Sequence, residues 1–110
     1  MQLVFYHSGI SKPTVETFEE YSKIKFPRLQ KLYAKKEDSN PLIQVSIKKE
    51  PHEFDMSIET FFRGKMFVVK EKAESVKEVI DKCYKTLRYA LSTYKKRQME
   101  HKAEWKSAVV

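Results

Sequence analysis

The sequence predicts an α+β domain in the order β-α-β-β-β-α: a four-stranded mixed sheet with two helices packed on one face. Three observations carry this. Two long stretches repeat apolar residues at three- and four-residue spacing. Short stretches alternate apolar and polar residues. Turn-forming residues separate them. At 110 residues and 41% hydrophobic content the chain has the size of one domain with one modest core.

Residues 2–7 place Leu3, Phe5 and His7 on one side and Val4 and Tyr6 on the other, so they read as a strand that Gly9 ends. Ser11, Lys12 and Pro13 follow as turn chemistry, and Thr14 is the expected N-cap. A first helix over 14–36 carries its apolar stripe on Val15, Phe18, Ser22, Phe26, Leu29 and Tyr33. Pro27 interrupts it. A proline inside a helix removes a backbone bond and clashes with the preceding turn. Either a kink near 23–26 or a second short helix starting at Pro27 results; the unbroken stripe favours the kink. Residues 37–41 are a loop. Ile43, Val45 and Ile47 then alternate with polar residues, as do Phe54, Met56 and Ile58, giving two half-buried strands. Arg63, Gly64 and Lys65 form a tight hairpin turn into a fourth strand over 66–72. The second helix, over 75–104, opens with the capping box Ser75–Glu78. Its stripe is Val76, Val79, Ile80, Cys83, Leu87, Ala90, Leu91 and Tyr94. Past Tyr94 the periodicity fades. Residues 1–101 are expected to form the domain, and 102–110, around Trp105, a flexible tail.

A strand-helix-strand unit makes parallel neighbours, and hairpins add the remaining strands antiparallel. Both helices then cover one face, and Gln44, Ser46, Asp55, Ser57 and Glu59 keep the other largely solvated.

The formal net charge is +7. The first helix holds Lys23, Lys25, Arg28, Lys31, Lys35 and Lys36 against three carboxylates. The second holds Lys77, Lys82, Lys85, Arg88, Lys95, Lys96, Arg97 and Lys102 against four. The remainder is balanced, so the whole excess lies on the helices. Such concentration favours a nucleic-acid partner over a merely solvated face.

Catalytic chemistry finds no foothold. Only two glycines are present, so no Gly-rich loop cradles a phosphate. His7, His52 and His101 share no metal-ligand spacing and read as surface or edge residues. Cys83 lies on an apolar stripe and reads as a buried structural thiol. The acidic pairs Glu19–Glu20 and Glu50/Glu53 are flanked by lysines on surface segments. No enzyme, cofactor, metal or small-molecule substrate is expected. The apolar runs are too short to span a membrane, and the N-terminus lacks the pattern of a signal peptide. A single cysteine suits a reducing cytoplasm.

With the elements in order, about residues 1–97 resemble the ribosome hibernation-promoting factor and protein Y family. Met1-Gln2-Leu3 followed by Gly9 resembles the family's first strand and turn. Phe18 to Tyr21 and Lys25-Phe26-Pro27-Arg28-Leu29 resemble its first helix. Ile80-Asp81, Leu87, Leu91, Lys95 and Arg97 resemble its second. The family's Asp-x-Tyr-x-Ala-Ile-Asp stretch is here Ser75 to Asp81, and Thr86, Tyr89 and Thr93 stand at family basic positions. Lys82, Lys85, Arg88 and Lys96 are basic instead, which rotates the positive face.

The resemblance implies a fold like that of double-stranded-RNA-binding domains, and a short-form, non-enzymatic, cytoplasmic ribosome inactivator. Such proteins occupy the mRNA and tRNA channel of the small subunit, against its rRNA. They block translation in starved cells and preserve idle ribosomes. Short forms can favour ribosome dimers together with a second small hibernation factor. Candidate RNA contacts are Lys25, Arg28, Lys31 and Lys35 on the first helix. On the second they are Lys82, Lys85, Arg88, Tyr89, Lys95, Lys96 and Arg97. Tyr89 either stacks on a base or sugar or is a half-exposed packing residue, and Tyr21 shares that ambiguity. A general structured-RNA binder and a basic protein-interaction module are the rival readings. A membrane binder is disfavoured, because both apolar stripes are needed for the core.

Overall fold

The computed structural model describes residues 1–33 and 41–109, with side chains described through Arg97. Strand β1 (Gln2–Ser8) is followed by helix α1 (Lys12–Lys25), a 3-10 segment (Phe26–Leu32), strands β2 (Leu42–Lys49), β3 (Phe54–Phe62) and β4 (Lys65–Ala73), and helix α2 (Val76–Val109). The strands lie in the order β1-β2-β3-β4. β1 runs parallel to β2, and the other two neighbouring pairs are antiparallel. This is the expected mixed sheet.

Three local features differ from expectation. Ser11, not Thr14, caps α1: its carbonyl accepts the Val15 N–H at 2.9 Å, and its hydroxyl meets that of Thr14 at 2.8 Å. Pro13 therefore falls in the first turn, where no N–H is needed and its fixed φ suits the helix. Nor does α1 kink at Pro27. The α-helix stops at Lys25, and a tighter 3-10 segment begins with Pro27 in its first turn. The proline lacks the N–H that would bond the Lys23 carbonyl, so the ladder ends before it. Finally, α2 runs to Val109, beyond the expected helix end at 104.

The turns form for identifiable reasons. Gly9 closes β1 at φ +69°. Arg63 and Gly64 both take positive φ, at +51° and +80°, the twist that joins two antiparallel strands through a two-residue loop. Ser75 caps α2, its hydroxyl accepting the Glu78 N–H at 3.2 Å.

The helices cover one sheet face. Ile43, Val45, Ile47, Met56, Ile58, Phe62, Val69 and Ala73 point inward and meet Phe18, Phe26, Leu29 and Tyr33. From α2 come Val76, Val79, Ile80, Cys83, Tyr84, Leu87 and Leu91. Of the expected stripes, Val15, Ala90 and Tyr94 are half-buried. Thr60 is a buried polar residue that alternation did not single out. Its hydroxyl donates to the Leu42 carbonyl at 2.9 Å and accepts from the Tyr33 hydroxyl at 2.9 Å, which ties the end of the 3-10 segment to the sheet. Tyr33, Phe67 and Tyr94 each meet the Phe62 ring edge to face, and Phe67 meets Tyr94 in the same way.

Candidate nucleic-acid interface

The two basic elements meet at a clasp. The Tyr21 hydroxyl of α1 donates to Asp81 Oδ1 of α2 at 2.8 Å. Lys25 Nζ reaches the same oxygen at 3.0 Å. Lys25 also lies over the rings of Tyr21 (5.8 Å) and Tyr84 (5.3 Å), and Lys77 approaches Tyr21 from α2 at 5.8 Å. Burial works against ionisation of Asp81, but the Tyr21 hydroxyl and the Lys25 ammonium outweigh it and hold its carboxyl below its usual value. The same hydrogen bond holds the Tyr21 phenol above its ordinary value.

The Lys25 side chain is only 19% exposed and is ion-paired. Its charge is largely used inside the fold, and its place is between the helices rather than on a free arc. Tyr21 likewise has its hydroxyl engaged. Three cations face the clasp from outside: Lys77 over the Tyr21 ring, the Arg28 charge acting on Tyr21 from the 3-10 segment, and the Lys85 charge acting on Asp81 from α2. The two predicted basic faces thus converge around Asp81. Arg28 and Lys31 are exposed. Lys35 lies outside the described residues.

Along α2 the candidates split into two sets. Lys85, Arg88, Tyr89, Ser92, Lys95 and Lys96 recur at three- and four-residue spacing and share one side of the helix. The first four line a shallow hollow of about 280 Å³. Tyr89 is 75% exposed, more than the half-exposed packing residue that was the other expectation. Lys82 and Arg97 belong to a different flank, together with Thr86 and Thr93. This flank faces β4: Lys82 Nζ donates to the Lys72 carbonyl at 3.1 Å, and the Thr86 hydroxyl donates to Glu71 at 3.0 Å. Lys82 also lies 3.9 Å from Glu78. Helical spacing already separates the two sets; what it could not show is that the Lys82 flank finds its partners on β4.

Elsewhere, His7 and His52 are exposed and on different elements. The Cys83 thiol is buried, its Sγ is 3.9 Å from the Met56 carbonyl, and burial pushes its pKa up to about 12. Among the described residues no group of three or more His, Cys, Asp or Glu is placed to hold a metal. No described helix is long and apolar enough to cross a membrane.

No protein-family model matches the sequence, and no curated protein matches it. Solved structures do. The N-terminal domain of protein Y from Thermus thermophilus superposes with a TM-score of 0.72 at 15% identity, covering 86% of this chain and 99% of that one. A ribosomal subunit interface protein from Coxiella burnetii gives a TM-score of 0.70 at 15% identity, covering 86% of this chain and 98% of that one. The cationic, two-helix-covered sheet built here from its residues is therefore the fold of protein Y and of a ribosomal subunit interface protein, as the pattern of its helices implied.

Proposed function

We propose that this protein is a non-enzymatic, ribosome-associated RNA-binding factor of the hibernation type. It acts in the cytoplasm on the small subunit. The observation that carries the reading is the convergence of two cationic elements on one side of the molecule, locked by the Tyr21–Asp81–Lys25 clasp. The fold shared with two ribosome-related proteins supports the same reading.

Phosphates of folded rRNA meet Arg28 and Lys31 on one side of the clasp, and Lys85, Arg88, Lys95 and Lys96 on the other. Release of condensed counterions supplies much of the affinity. The RNA is structured, so backbone and shape contacts outweigh base reading. Tyr89 offers a flat ring among those charges for a splayed base or sugar. Lys25 positions the two elements, while Lys82 and Arg97 lend charge from the flank. A folded domain held in the mRNA and tRNA channel excludes tRNA by occupying its space. Idle ribosomes are thereby blocked and preserved, and a second small factor joins in where ribosomes dimerise.

Sedimentation with purified small subunits across a salt series tests this. Six engaged cations give a log–log slope of about −4 to −5. A chain with Lys85→Glu, Arg88→Glu and Lys96→Glu is expected to stay at the top of the gradient with an unchanged circular dichroism spectrum. Binding that persists in that variant, or that ignores salt, defeats the reading. An excess of bulk duplex RNA that strips the protein from subunits favours a general structured-RNA binder instead.

A further inference from the structure

Seven large apolar side chains of the described residues stand exposed, and five of them, Tyr6, Leu42, Phe61, Met66 and Val68, lie on the sheet face that the helices leave bare. They are not scattered. The register places Phe61 beside Met66, with Leu42 adjoining in the same hollow of about 330 Å³. One row along, Val4, Gln44, Glu59 and Val68 lie in line across the four strands. The next row is Tyr6, Ser46, Ser57 and Lys70, and the last is Ser8, Lys48, Asp55 and Lys72. The expectation of a largely solvated face therefore holds for one half of it only. The other half is an apolar band of a kind that marks interaction surfaces.

The charge on this face says what covers it. Three lysines stand against Asp55 and Glu59, and two of those lysines are already paired, Lys48 with Glu50 at 3.5 Å and Lys72 with Glu53 at 3.9 Å. A nearly neutral, half-apolar face suits neither RNA nor a strongly acidic protein. It does suit itself. A two-fold axis parallel to the strands, between β2 and β3, lays β1 over the partner's β4 and β2 over the partner's β3. Each row then faces its own copy. Leu42 meets the partner's Phe61, and Val4 meets the partner's Val68. Gln44 faces the partner's Glu59, an amide against a carboxylate. Tyr6 faces the partner's Lys70, and Lys48 faces the partner's Asp55, opposite charges in the one row where like charges would repel most.

We propose that the bare sheet face is a self-complementary interface through which two copies of this chain pair back to back. Stacked sheets pack about 10 Å apart with their strands within about 30° of each other. Four strands of about eight residues present roughly 500 Å² per copy, from a spacing near 4.8 Å and a rise near 3.3 Å. The total, about 1,000 Å², is at the lower limit for a specific interface, so the dimer is a weak and reversible one. Both helical faces remain outward, and one dimer presents two cationic surfaces in opposite directions. The pairing itself does not depend on RNA binding.

Sedimentation velocity of the full chain, freed of RNA and held at high salt, tests it between about 10 μM and 1 mM. The mass is expected to rise from 13.1 kDa toward twice that value with concentration. Phe61→Lys and Val68→Lys, both at exposed positions, are expected to keep the chain monomeric with unchanged circular dichroism. Lys48→Asp and Asp55→Lys are each expected to shift the midpoint at least several-fold upward, and the double swap to restore it. A monomer at 1 mM overturns the proposal, as does a dimer indifferent to Phe61→Lys. A dimer that the two swaps weaken without mutual rescue overturns the proposed register.

Discussion

Replacing Asp81 with alanine is the most direct probe of what joins the two basic elements. The change removes the acceptor for the Tyr21 hydroxyl at 2.8 Å and for the Lys25 ammonium at 3.0 Å, both of which converge on one oxygen. Hydrogen bonds to charged groups contribute about 1.5–3 kcal/mol, and exposed ion pairs about 0–1 kcal/mol. The Asp81 side chain is 37% exposed, so water replaces part of what is lost and the upper end does not apply. The expected cost is about 1–2.5 kcal/mol. For a chain of this size that lowers Tm by roughly 5–15 °C. In urea the midpoint should fall with the slope unchanged, because the folded state keeps its compactness. Pairing the change with Tyr21→Phe should give a coupling energy of at least about 0.5 kcal/mol.

The pH dependence has a definite sign. The Asp81 carboxyl is held below its ordinary value, so its contribution is full above about pH 4 and is lost as pH falls. The Tyr21 phenol is held above its ordinary value, so its contribution is full below about pH 10 and is lost as pH rises. The gap in stability between the native chain and the Asp81→Ala chain should therefore stay flat through neutrality and narrow at both extremes. A destabilisation under about 0.3 kcal/mol, or zero coupling with Tyr21, refutes the clasp.

Other expectations follow from single residues. Leu87→Ala should cost about 2–5 kcal/mol in chemical denaturation, because Leu87 is fully buried against the sheet. Ser22 is buried with its hydroxyl unpartnered, so Ser22→Ala should leave the denaturation midpoint unchanged or raise it; a clear loss would reveal a bond from that hydroxyl. Cys83, raised to about 12, should resist alkylation at pH 8 in the native state, react at once in urea, and gain native-state reactivity only as pH approaches that value. Tyr89→Ala should weaken RNA binding by about 1–3 kcal/mol in a filter or sedimentation assay, whereas Tyr89→Phe should retain it; equal loss in both would assign the contribution to the hydroxyl instead of the ring.

Much of this molecule was legible in one dimension. Alternation at Ile43, Val45 and Ile47 and at Met56 and Ile58 named the inward face of the sheet, because side chains on a strand leave it in turn on opposite sides. The 3.6 period did the same for Phe18, Ser22, Phe26 and Leu29 and for Val79, Ile80, Cys83 and Leu87. Pro27 announced a break in the first helix, but not its form. A stripe in phase through Phe26, Leu29 and Tyr33 suits a kinked α-helix and a 3-10 segment equally well, since three- and four-residue steps serve both. Thr60 falls in phase with Met56 and Ile58, but its polar side chain disguises that, and the Tyr33 hydroxyl that meets it comes from a distant segment.

Element order, the two apolar stripes and the placement of the whole positive excess on the helices can all be read along the chain. These follow from local periodicity and from counting, which need no third dimension. Which charges are engaged emerges only on folding. Lys25 and Lys82 look like their neighbours in the sequence, yet Asp81 neutralises the one across the helix pair and the Lys72 carbonyl engages the other from β4. Tertiary structure also gathered Leu42, Phe61, Met66 and Val68, which sit on three strands, into one apolar band. The physical reason is common to both: the free energy of a charge or of an apolar surface depends on what lies within a few ångströms, and those neighbours come from parts of the chain that only folding brings together.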